Sequence, residues 1–141
     1  MSEGFSQETF RLDVAWRDAA GEHARPYIVR RIPAAGLLEP YDTEPEYRVL
    51  AALAGTDVHA PRVLWYEHDP AVFERPFYVM EHVAGSVPLP VAVDGKPVFD
   101  AELRARLGDD FVANLAALHA VDWRARGLGF LGDPGPGRGA A

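Results

Sequence analysis

From Phe10 to Trp16 the chain reads Phe-Arg-Leu-Asp-Val-Ala-Trp, with apolar residues at every second position: Phe10, Leu12, Val14 and Trp16. A period of two puts them on one side of an extended strand, and such a strand needs a neighbour to pair with and a layer to cover it. The neighbour follows in sequence. After the turn-forming stretch Asp18-Ala19-Ala20-Gly21-Glu22 comes Tyr27-Ile28-Val29-Arg30, so the expectation is an antiparallel hairpin with a longish loop, ended by Pro33 and Gly36. The covering layer comes next. Asp42-Thr43-Glu44-Pro45-Glu46 supplies capping residues, a proline for the first turn and acids for the positive end of a helix, and Val49, Leu50 and Leu53 give it an apolar face before Gly55 ends it.

Two more strands are expected at Arg62 to Tyr66 and Pro76 to Glu81, separated by an Asp69-Pro70 turn. Between Gly85 and Phe99, Pro88, Pro90, Gly95 and Pro97 disfavour any regular element and mark a connection. Asp100 can then cap a long helix in which Leu103, Leu107, Phe111, Leu115 and Leu118 recur every third or fourth position, with Gly108 a candidate bend. The tail after Trp123 is rich in Gly and Pro and is expected to be loose. The fold class is therefore α+β: a small antiparallel sheet with one packed helix, then a connection and a long helix. As domains this divides into 1–87, a linker at 88–99, a helical part at 100–132 and a tail at 133–141.

A length of 141 residues, nearly half of them apolar, suffices for one buried core. The net charge of −7 argues against a nucleic-acid partner, which needs clustered cations. Lys96 is the sole lysine, yet one cation plus backbone amides can still hold a small phosphate ligand. Without cysteine there are no disulfides, thiolate metal sites or cysteine nucleophiles. No run reaches the roughly 18 apolar residues of a membrane span, and Glu3 and Glu8 stand where a signal peptide would be basic and then apolar, so the expected compartment is the cytoplasm. His23, His59, His68, His82 and His119 lack the spacing of a zinc site, and no Gly-x-Ser-x-Gly elbow occurs.

Three places could carry chemistry. Ile28 and Arg30 share one face of their strand, so an apolar surface and a cation lie together; Arg31 faces the other way and takes that role if the register shifts by one. Thr43 and Glu46 have capping-box spacing, which would turn Glu46 back to the helix start. Gly4-Phe5-Ser6-Gln7-Glu8-Thr9-Phe10 reads either as a bare turn or as a phosphate loop relying on Ser6 and main-chain N–H groups.

The stretches GFSQETFRLD, YIVRR, EPEYRVLAAL, APRVLWYE, FYVMEHVAG and LAALHAVDW, in this order over roughly residues 4 to 132, resemble the kinase-like N-lobe of the aminoglycoside phosphotransferase family. The resemblance implies ATP as cofactor, with Mg in the complete enzyme, and phosphoryl transfer to a small-molecule hydroxyl. It puts Arg30 in the place of the kinase strand lysine and Glu46 as its ion-pair partner, with Glu44 a weaker alternative held at the helix boundary by Pro45. Ser6, Gln7 and Thr9 then cover the phosphates, Ile28 and Met80 line the adenine slot, and the Glu81 carbonyl and Val83 N–H hold the base. Relatives act on aminoglycosides and other small hydroxyl compounds, and some such domains accompany acyl-CoA dehydrogenases.

The chain departs from this family at both ends. The His-Gly-Asp catalytic loop with its downstream Asn, and the metal-binding Asp, have no match, because neither Gly108-Asp109 nor Gly132-Asp133 has the required neighbours. Only Met1-Ser2-Glu3 precede Gly4, so the sheet is expected to lack a first strand. The expectation is the nucleotide-binding part of a phosphotransferase without its catalytic loop. The alternative is a non-catalytic fragment whose long helix, with Phe111 and Leu115, binds a missing C-lobe, another partner or a second copy.

Overall fold

The structure, a computed structural model, describes residues 7–34, 42–85 and 99–132. Strand β1 (Glu8–Asp18) and strand β2 (Gly21–Arg31) form the hairpin; helix α1 (Glu44–Leu53), strand β3 (Val63–Glu67), the short helix α2 (Pro70–Phe73) and strand β4 (Phe77–Glu81) follow. Helix α3 (Ala101–His119) and a 3₁₀-helix (Leu128–Leu131) complete the order. The four strands are antiparallel in the order β1-β2-β4-β3, which leaves β1 at an edge. Two compact units result: one holds the sheet, α1, α2 and the 3₁₀-helix, and the other holds α3 with residues 55–59.

Register decides which side chains share a face. Phe10 lies opposite Val29, which lies opposite Val79, and the buried trio Val29, Phe77 and Val79 forms the core with Phe10, Tyr27 and Leu64 packed around it. Full burial of side chains of this size stabilises by roughly 1.5–3 kcal/mol each. On this face α2 contributes Phe73, whose ring meets Phe10 and Phe77 edge-on at 5.4 and 5.7 Å. The other face carries Thr9, Arg30, Tyr78 and Tyr66 in one row across the strands. Helix α1 covers it, with the Tyr47 ring 5.5 Å from Tyr66 and 6.1 Å from Tyr78.

The hairpin differs from the sequence expectation. Pairing continues to Asp18 and Gly21, leaving a tight turn at Ala19-Ala20 in place of a longish loop. Asp18 accepts the Ala20 amide at 2.8 Å, and Gly21 adopts φ +126°, a backbone state that only glycine enters without strain. Pro26 sits in β2 just before the stretch paired with β4, where the strand has one neighbour and proline is tolerated. The strand alternation is half realised, since Phe10 and Val14 are partly buried while Leu12 and Trp16 stay exposed. Between β3 and β4 the expected turn is the one-turn helix α2, whose start Asp69 caps by accepting the Ala71 amide at 2.8 Å.

The segment after Trp123 is the larger correction. Leu128 is buried, the Arg48 guanidinium lies 3.7 Å from the Phe130 ring centroid, and Arg126 donates to the Ala52 and Ala54 carbonyls at 3.1 and 2.9 Å. Helix α1 has no basic residue in its last turn, so this remote arginine serves its unsatisfied C-terminal carbonyls. Gly127 makes the approach possible with φ +74°. The linker from 86 to 98 and the tail from 133 lie outside the described residues.

In the second unit α3 begins as expected, with Asp100 accepting the Leu103 amide at 2.7 Å. Asn114 ties it to the 55–59 segment, accepting the His59 amide at 2.6 Å and donating to the His59 carbonyl at 3.5 Å. Its apolar positions Leu107, Phe111, Leu115 and Leu118 are exposed.

Candidate nucleotide site

Arg30 stands opposite Thr9 on β1 and Tyr78 on β4, on the face that α1 covers. From α1, Glu46 reaches its guanidinium, with Oε1 3.4 Å from Nη2. Gln7, immediately before β1, joins both: Oε1 accepts from Arg30 Nε at 2.8 Å and Nε2 donates to Glu46 Oε2. Strand and helix are thus joined through one neutral amide. The contacts with Gln7 and Glu46 use Nε and Nη2 of Arg30, and neither of them uses Nη1.

The capping-box alternative for Glu46 is not formed. Thr43 stands at the N-cap with no side-chain cap bond, and the Glu44 amide donates to Asp42 at 2.8 Å instead. With the helix start served by Asp42, Glu46 turns toward the sheet. Glu44 pairs with Arg48 one helical turn on, at 3.9 Å, and has no part in the cluster.

Arg31 is used quite differently. It is 7% exposed, and Glu8 accepts from its Nε at 2.8 Å and meets its Nη2 at 2.6 Å, while Nη1 donates to the Phe73 carbonyl and to Glu74, both at 3.0 Å. Its guanidinium also lies 4.2 Å from the Phe73 ring centroid, a cation–π contact. All three nitrogens are occupied, so Arg31 is a structural cation and the one-residue register shift does not occur. Burial acts to raise the Glu8 carboxyl, but the hydrogen bonds and charges of Arg31, and then Arg75, outweigh it and hold it below its ordinary value.

Tyr78 is fully buried beneath the Arg30–Glu46 pair, and its hydroxyl has no hydrogen-bond partner at normal geometry, although both charged groups are near enough to act on it. Burial first, and then the Glu46 carboxylate, push the phenol far above its usual range, so it stays neutral. Ile28 lies opposite Met80 in the register on the same face as Arg30, which gives that cation an apolar flank. At the end of β4, Glu81 and Arg62 lock together: the Glu81 amide donates to the Arg62 carbonyl and Glu81 Oε1 accepts the Arg62 amide, both at 2.9 Å. Val83 is 64% exposed beyond the strand, and Ser6 lies outside the described residues.

The geometry is that of a sheet cation positioned by a helix carboxylate, beside an apolar strip that runs to a strand end. The sequence profile of the phosphotransferase enzyme family matches residues 1–139. The chain belongs to this phosphotransferase family. The crystal structure of a Ralstonia eutropha protein classed as an aminoglycoside phosphotransferase superposes with a TM-score of 0.62 at 32% identity, covering 94% of this chain and 39% of that one. The small four-stranded sheet with its helix matches the kinase-like N-lobe of such an enzyme.

Relatives of this phosphotransferase-family chain also occur inside much longer proteins. A "probable acyl-CoA dehydrogenase" of Arabidopsis thaliana is 33% identical over 128 residues, which are 89% of this chain and 15% of that protein. Acyl-CoA dehydrogenase family member 11 of Rattus norvegicus is 32% identical over 106 residues, 74% of this chain and 13% of that protein. The chain thus spans a small part of each.

Among the described residues no group of three or more His, Asp or Glu side chains is placed to hold a metal ion. Sequence reasoning named Arg30, Glu46 and Gln7 but missed two things: the side-chain role of Gln7, which had been assigned through its backbone, and Tyr78. The available signal for Tyr78 was its spacing, since it lies two residues before Met80 and therefore on the same strand face.

Proposed function

We propose that this chain is the nucleotide-binding part of an ATP-dependent phosphotransferase whose acceptor is a small-molecule hydroxyl. The observation that carries the proposal is Arg30: Glu46 and Gln7 hold its guanidinium through Nη2 and Nε, and neither contact uses Nη1. A planar cation fixed in this way suits phosphate oxygens, which it can grip through paired donors. Ile28 and Met80, on the same face, would lie against the adenine, with the Glu81 carbonyl and Val83 amide as its hydrogen-bonding edge. Ser6 and Thr9 would cover the phosphates. Phosphoryl transfer also needs an aspartate to orient the acceptor and a metal to neutralise charge, and these would come from residues other than the described ones. The likeness to parts of acyl-CoA dehydrogenase proteins supports a hydroxylated acyl compound as well as an aminoglycoside as the acceptor class. Calorimetric titration of ATP into the wild type and Arg30→Ala tests the reading: clear binding lost in the variant supports it, and equal or absent binding in both sinks it.

A second reading rests on α3, where Phe111 is 69% exposed beside exposed Leu107, Val112 and Leu115. In it the chain is a non-catalytic fragment whose helix face binds a partner. Light scattering separates the two, since a monodisperse monomer that binds ATP leaves this reading without support.

A further inference from the structure

The role of the Gln7 side chain is not explained by phosphate covering through the backbone. Its amide oxygen takes the Nε–H of Arg30 at 2.8 Å, and its amide nitrogen donates to Glu46 on a helix 39 residues away in sequence. The direct Arg30–Glu46 contact is long, 3.4 Å, and uses Nη2 alone. A single monodentate contact lets a guanidinium rotate about its own axis; a second contact at Nε fixes the plane. Tyr78 beneath the pair supplies no such contact, because its hydroxyl has no partner at normal geometry.

We propose that Gln7 is a positioning residue for the phosphate-binding cation: its side-chain amide sets the plane of the Arg30 guanidinium and so presents Nη1 to the polyphosphate of a nucleotide. This rests on the nucleotide-binding reading and names the device that makes Arg30 selective for the phosphate end of the ligand. The chemistry requires an amide. A carboxylate at this position would meet Glu46 with like charge, and an apolar isostere would satisfy neither neighbour. A shorter asparagine would not span both.

The test uses the 141-residue chain as wild type, Gln7→Met and Gln7→Glu, titrated with ATP and with adenosine. In parallel, exchange with water of the Arg30 Nε–H is followed by nitrogen-15 NMR. The expected result is a protected Nε–H in the wild type that exchanges fast in Gln7→Met, together with an ATP affinity lowered about ten-fold, the scale of one hydrogen bond to a charged group. Adenosine affinity stays unchanged in that variant, which shows that the fold and base slot are intact. Gln7→Glu keeps the Nε–H protected but displaces Glu46, and loses ATP affinity as well. If the wild type binds ATP and Gln7→Met binds it equally well, the positioning role is overturned and the nucleotide reading stands. If Gln7→Met weakens ATP and adenosine equally, Gln7 is only a packing element. If the wild type binds no ATP, the nucleotide reading falls and the positioning role falls with it, whatever the NMR shows.

Discussion

The guanidinium of Arg126 donates to the carbonyl of Ala54 at 2.9 Å across 72 residues of sequence. Together with the bond to Ala52 it closes the C-terminus of α1, the helix that carries Glu46. Replacing Arg126 by Ala returns two carbonyls to water and is expected to cost about 1 kcal/mol, because the site is exposed and each bond is worth little net. Arg126→Lys recovers part of that loss. Urea unfolding of the three proteins measures it; a change below the error of the extrapolation would mean that the contact contributes nothing.

Arg30 and Arg31 should respond in opposite ways to lysine. At position 30 a lysine keeps a cation beside Glu46 but lacks the planar fork that Gln7 orients, so it is expected to weaken ATP binding at least as much as Gln7→Met, with little change in stability. Arg31→Lys cannot reproduce bonds from three nitrogens to Glu8, Glu74 and the Phe73 carbonyl. It is expected to destabilise by about 2–3 kcal/mol while leaving nucleotide affinity per folded molecule unchanged. Thermal melts and ATP titrations of both variants decide the matter.

Glu74 is the one non-glycine residue with positive φ among those described, at 64°, where the Arg75 amide folds back on the Phe73 carbonyl at 2.7 Å. Glycine would relieve that strain, and the ion pair it removes is largely exposed on the Glu74 side. Glu74→Gly is expected to raise stability by up to about 1 kcal/mol, and Glu74→Ala to lower it. A higher melting temperature for the alanine variant would contradict this.

Glu8 gives the fold a pH dependence of known sign. Its carboxyl is held below the ordinary 4.5 in the folded chain, so the unfolded chain takes up the proton first. The stabilisation is complete above that ordinary value and is lost as pH falls through the folded value. Denaturation followed from roughly pH 6 to pH 3 should therefore show a falling stability whose slope flattens in Glu8→Gln. An unchanged slope would place the acid-sensitive group elsewhere.

These contacts also show what could be read from the sequence. The order of elements along the chain and the helix from Glu44 were legible because period-two and helical patterns set which residues share a face, whereas the pairing of Arg30 with Glu46 was implied by the family resemblance, the local sequence allowing a capping box equally well. The choice between Arg30 and Arg31 was legible only as a register, since either could have been the open cation until Glu8 and Glu74 were seen to surround one of them. Arg126 was not legible at all. Its Gly-rich surroundings carry the local signals of a loose segment, and the reason for order lies in carbonyls on a distant helix. The side chain of Gln7 was hidden for a similar reason: its two partners belong to different elements, and no local pattern marks an amide that bridges them.

The same distance between Ala54 and Arg126 has a consequence for biosynthesis. At about 5–20 residues per second a ribosome takes about 4–14 s to add the 72 residues that separate them. Once β4 is complete at Glu81 the sheet and α1 are all made, while the end of α1 still lacks its arginine. The nascent helix is then held by the sheet alone, and codon usage over residues 55–126 sets how long it waits.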